Sequence, residues 1–177
     1  MEYPYDAGLE PDTLALLAAF RGGSASAEPD ERMAALSRDD MPADLKAWLH
    51  TYAHHGGLVS IGDVWFEADN AQLLRNVVEA FGPDDADLEH DGVDGLDLER
   101  AVVMGNTADG EVFFAAAWKP GDARLTMVKF CCAGYKDDGY HALGSFFAAL
   151  QGIAEKVEDL EDIDEPVRTV LARDRKA

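Results

Sequence analysis

The chain predicts an α+β fold, an antiparallel sheet of about five to six strands packed by helices. Two patterns carry that expectation. Apolar residues recur at helical spacing in segments spread along the whole chain. Between Ala101 and Cys131, three β-rich runs follow one another across short Gly- and Pro-containing turns. Composition agrees with both, since 177 residues with 47% apolar and 28% charged content can bury a full globular core.

Leu9 to Phe20 reads as a short helix with Leu14, Leu17 and Ala18 on one side and Gly22-Gly23 beyond its end. Gly22 to Pro29 (GGSASAEP) is small, polar and turn-rich, as a linker would be. A brief helix follows from Asp30 to Leu36. A stronger one runs from Pro42 to His54, where Leu45, Trp48, Leu49 and Tyr52 form one apolar stripe and Gly56-Gly57 closes it. LVSIGDVWFE (Leu58 to Glu67) reads as two short strands around a Gly-Asp turn. Asn70 to Phe81 is predicted helical, with Leu73, Leu74, Val77, Val78 and Phe81 buried. Ala101 to Gly105, Val112 to Trp118 and Arg124 to Cys131 form the β-meander. The middle run, VFFAAAW, is apolar enough to be covered on both faces. Leu143 to Lys156 is a final core helix carrying Phe146, Phe147, Leu150 and Ile153. One further short helix is expected after Pro166.

Charge narrows the function. Fifteen Lys and Arg against 35 Asp and Glu give a formal net charge of −20, which excludes phosphate-backbone binding and favours a basic partner. The opening residues carry no basic and apolar signal pattern, and no apolar run is long enough to span a membrane. Adjacent Cys131 and Cys132 read as free strand thiols. A cytoplasmic compartment is the expectation.

The charge concentrates between Pro83 and Glu99, where Asp84, Asp85, Asp87, Glu89, Asp91, Asp94, Asp97 and Glu99 follow one another without a Lys or Arg. From Asp87 the spacing nearly fits a calcium loop. Leu98 stands at its twelfth position, however, where a bidentate Glu is needed, and Glu99 comes one residue late. The stretch suits a solvated loop as well as a surface that meets a basic partner. His50 and His54 have metal-compatible helical spacing but lack a metalloprotease's adjacent Glu, so histidines complementing a helix end are the simpler reading. Cys131, Cys132 and His141 lack an orienting third group in the sequence. Gly105 to Gly110 is a hairpin turn, since no Lys-Ser/Thr follows to make a phosphate loop. Neither a cofactor nor a metal is expected. Trp48 and Trp118 belong to apolar faces, whereas Trp65, on a short strand that could lie at an edge, is a candidate interface anchor.

Three motifs in order add a family resemblance. MPADLKAWLHTYAHHGG (Met41 to Gly57), VVMGNTADGEVFFA (Val102 to Ala115) and SFFAALQGI (Ser145 to Ile153) resemble the opening helix, glycine hairpin and terminal helix of the SUKH superfamily. His55 replaces the usual Asn, Leu45 a common aromatic, and the acidic insertion is long. The resemblance implies a SUKH-like domain over 41–156, preceded by a helical extension and linker (1–40) and followed by a charged tail or helix (157–177). It also implies a binding fold and not an enzyme. Many bacterial members look like immunity proteins that neutralise a cognate, often nucleic-acid-targeting, toxin, while others act as regulatory or scaffold modules. The expected partner-binding residues are Asp84, Asp85, Asp87, Glu89, Asp91, Asp94, Asp97 and Trp65. Charge complementarity with a basic toxin cleft supplies the rationale.

Overall fold

The computed structural model describes residues 1–81, 89–132 and 139–173. Helices α1 (Pro11–Phe20), α2 (Glu31–Leu36) and α3 (Ala43–His55) lead into strands β1 (Val59–Ile61) and β2 (Val64–Phe66). A 3-10 turn at Ala68–Asn70 precedes β3 (Gln72–Leu73) and α4 (Leu74–Phe81). Then come β4 (Glu89–Asp91), β5 (Val102–Thr107), β6 (Val112–Ala117), β7 (Thr126–Cys131) and β8 (Gly139–Gly144). Helices α5 (Phe146–Ala154) and α6 (Glu165–Arg173) close the chain, with a second 3-10 turn at Leu160–Asp162 between them.

The α+β class stands, but the sheet has eight strands among the described residues and is mixed. Its order is β1-β2-β5-β6-β7-β8-β4, with β3 also paired to β5. Three strands, β3, β4 and β8, lie beyond the five runs read from the sequence. The expected helix at Asn70 begins only at Leu74, because Gln72 and Leu73 pair with Val103 and Val102 of β5. The acidic stretch supplies β4, which pairs in parallel with β8 at the far edge. Leu143, expected on the last helix, belongs to β8 instead. Ser145 caps α5 by accepting the Ala148 N–H at 3.1 Å.

Strand β6 shows why an unbroken apolar run becomes a central strand. Successive side chains alternate between faces. Phe114, Ala116 and the following Trp118 enter the core beneath α1, α3, α5 and α6, and Phe113, Ala115 and Ala117 enter a second core. The first core contains Leu45, Trp48, Leu49 and Tyr52 of α3, the stripe expected from their spacing. Leu16, Leu17 and Phe20 of α1 are buried with them, and the rings of Trp48 and Phe146 stack at 4.1 Å. The second core is closed by Leu74 and Val77 of α4 and by Val93, which follows β4. The expected burial of Phe81 lies outside the described side chains. The segment at 22–29 is anchored to α3, where Ser26 N–H donates to the His54 carbonyl and Asp30 N–H to that of Ala53.

Candidate functional site

Trp65, the interface candidate of the sequence, is one of five large apolar residues exposed among the described residues. Strand β2 alternates buried Val64, exposed Trp65 and buried Phe66, so two apolar anchors pin the strand while the indole faces outward. Trp65 keeps 46% of its surface exposed, and Leu58, at the start of the same hairpin, keeps 68%. The hairpin can approach β5 this closely because Gly105 lies beneath it. A Cβ there would fall 2.6 Å from the Phe66 ring and 2.7 Å from the Trp65 carbonyl oxygen.

Strand β2 is not at the sheet edge. β1 flanks it, and the segment after α5 covers β1 in turn. Gly62 N–H donates to the Asp162 carbonyl at 2.9 Å, Asp164 N–H donates to the Ser60 carbonyl, and the Asp164 carboxylate accepts the Ser60 N–H at 2.7 Å. This strap occupies the hydrogen-bonding edge of β1 and so blocks strand addition there. Pairing sets Asp164, Ser60, Trp65 and Asn106 in one row across one face of the sheet. The exposed carboxylates of Asp63 in the β1–β2 turn and of Glu161 and Asp162 in the strap lie around the hairpin. The result is an exposed indole beside an acidic edge.

The other expected partner residues lie elsewhere. Asp84, Asp85 and Asp87 fall outside the described residues. Glu89 and Asp91 project from β4, five strand spacings from β2, roughly 24 Å across the sheet. Asp94 is exposed just beyond β4. Asp97 turns inward, its carboxylate accepting Arg100 Nε–H at 2.6 Å while the same guanidinium reaches Asp40 at 2.5 Å. Trp65 and the β4 carboxylates therefore belong to opposite ends of the sheet. The acidic neighbours of Trp65 come instead from the C-terminal strap. Its sequence signal was the Glu155 to Glu165 run, but only the Ile61–Ile163 bridge places that run beside β1.

The remaining candidates resolve into local structure. Among the described residues no three His, Cys, Asp or Glu side chains converge as a metal site. The His50 and His54 rings lie 4.5 Å apart under the N-terminal segment, where the Tyr3 hydroxyl meets His55 Nε2 at 3.1 Å. Arg21 crosses the Tyr3 ring at 3.7 Å and forms a two-pronged ion pair with Asp6. Burial, with the nearby His54 and Arg21 charges, pushes His50 below the ordinary imidazole range, and burial does the same to His55. Of the two histidines read as helix-end residues, His54 stands in the last turn of α3, and His50 lies one turn earlier, where burial disfavours its charged form. Asp44 is buried in the first turn of α3. Its carboxylate accepts the Leu125 and Leu45 N–H groups, yet burial still raises its pKa. Cys131 and Cys132 are buried and form no disulfide.

Compared with family models, curated proteins and solved structures, the chain matches none of them. No helix among the described residues is long and apolar enough to cross a membrane.

Proposed function

We propose that this is a non-enzymatic binding protein whose Trp65 face engages a basic protein partner, and that it acts as an immunity protein blocking the surface of a nucleic-acid-targeting toxin. The observation that carries the proposal is the half-exposed indole of Trp65, held by a rigid hairpin in one row with Asp164. Exposed aromatics of this kind anchor interfaces, because ring burial stabilises strongly and little rotamer freedom is lost. A net charge of −20 adds long-range steering toward a basic surface. A nuclease-like toxin offers such a surface, since it must present Lys and Arg to phosphates. The likeness to SUKH motifs supports the same reading. So does the element order of helix, hairpin, meander and terminal helix.

The test is capture from the source cell's lysate on immobilised wild-type protein and on Trp65→Ala, at low salt and at about 0.5 M salt. A basic protein held by the wild type should be weakened roughly thirtyfold or more by Trp65→Ala, the scale of a hot-spot truncation. It should also be released by salt. Equal capture by both proteins, with matching circular dichroism, refutes the Trp65 face. Co-expression then separates the two roles of such a binder. Rescue from the partner's toxicity identifies immunity, and a harmless partner identifies a regulatory or scaffold module.

A further inference from the structure

On the opposite side of the sheet from the Trp65 face, a cavity of about 330 Å³ opens between α5 and the strands. That volume lies within the range of about 300–1,000 Å³ typical of small-molecule sites. Its floor is Ile61, Val64 and Phe114, and its helical wall is Ala148, Ala149 and Gly152. Gly152 lies inside α5, where glycine is a poor helix former. A Cβ at this position would meet nothing within 4 Å, so the helix leaves the space open.

Two cations border this apolar space. Lys129 is half-buried on β7 and registers with Phe114 of β6, while Lys156 follows the end of α5. Among the described residues neither ammonium has a carboxylate within ion-pairing distance, although acids outnumber bases 35 to 15 in the chain. Among the described residues Asp63 is the one carboxylate in the lining, and it is exposed. Apolar walls with two ammonium-bearing side chains in the lining match a ligand that has an apolar chain and an anionic head.

We propose that this cavity binds a medium-chain carboxylate amphiphile of the fatty-acid class. Its chain lies against Phe114 and the Ala148–Gly152 wall, and its carboxylate accepts hydrogen bonds from Lys129 and Lys156. Charge-assisted bonds of this type, in a partly desolvated site, confer preference for the anion over a neutral analogue. The site is independent of the Trp65 face, which points to the other side of the sheet.

Calorimetric titration of the full chain with decanoate and with decanol, both below their aggregation limits, tests the assignment. Decanoate should bind saturably at one per chain, and decanol about tenfold or more weaker. Lys129→Met should erase that preference while leaving decanol binding unchanged. Gly152→Leu should abolish both by filling the cavity. Gly152→Ala, a milder change favourable to the helix, should weaken both and raise the melting temperature. Backbone amide shifts on decanoate addition should cluster at Val128–Phe130 and Ala148–Lys156. The proposal fails if wild type shows no saturable decanoate binding, if decanol binds equally well, or if folded Gly152→Leu retains full affinity.

Discussion

Tyr52 shows how one polar atom settles a local conformation. Its hydroxyl, fully buried beneath β5, donates at 2.7 Å to the carbonyl of Met104. Met104 is the residue at which the β5–β6 register slips, between Val103 and Gly105. A bulge leaves backbone groups outside the ladder, and the phenol satisfies this one. Tyr52→Phe should therefore cost about 1–2 kcal/mol in urea unfolding, the penalty for a buried acceptor left without its donor. The histidines give a pH signature. His50 and His55 have folded-state pKa values below the ordinary 6.5, so the unfolded chain takes up protons first as pH falls. Their contribution is intact above that value and is lost progressively below it, until pH passes the lowered folded-state pKa. Asp44, raised by burial, works the other way at lower pH, between its raised folded value and 3.8. Melting temperatures between pH 7 and 5 should fall for the wild type, and the paired variant His50→Gln with His55→Gln should flatten that fall.

Among the elements, β4 is the least self-sufficient. It has three exposed residues, EHD, and one strand partner among the described residues. Its docking depends on Gly139, whose φ of +132° and lack of a side chain admit the β4 backbone. A Cβ there would lie 2.2 Å from the Glu89 carbonyl oxygen. Gly139→Ala should release β4 from β8. Hydrogen exchange should then quicken at residues 89–91 and 139–141 while β5 and β6 stay protected. If protection at 89–91 is unchanged, β4 is held by something other than this pairing. The same spacing principle explains the Trp65 hairpin, where Gly105 removes the side chain that would separate β2 from β5.

For the whole molecule, the charge imbalance predicts that self-repulsion outweighs pairing. Ion pairs such as Arg21–Asp6 and the Arg100 bridge to Asp97 and Asp40 lose strength as salt is added, but so does the mutual repulsion of the excess carboxylates. With a net charge of −20 the repulsion is the stronger of the two effects, so raising sodium chloride from about 0.02 to 0.5 M should raise the melting temperature. A fall would mean that the few ion pairs dominate. The same salt should slow association with a basic partner, so stability and binding rate should move in opposite directions.

Much of this architecture was legible in the chain because it rests on local periodicity. The α3 stripe, the doubly buried β6 and the hairpin around Trp65 all follow from side-chain alternation at 3.6 or 2.0 residues. What the chain alone left open were contacts between distant segments. Strand β8 (GYHALG) has no clean alternation, and a parallel partner such as β4 leaves no turn signal between paired strands. The helix expected at Asn70 lost its first residues to β5 because pairing there satisfies backbone groups that local propensity cannot weigh. Long-range pairing also sets the acidic neighbours of Trp65. In sequence the Asp84 to Glu99 stretch stands nearest, yet the Ile61–Ile163 bridge brings Asp162 and Asp164 to the hairpin. Strand alternation determined that the Trp65 indole faces outward, and composition supplied the many acids available to lie beside it. Only long-range pairing, with an energy that depends on the whole sheet, decided which acids those are.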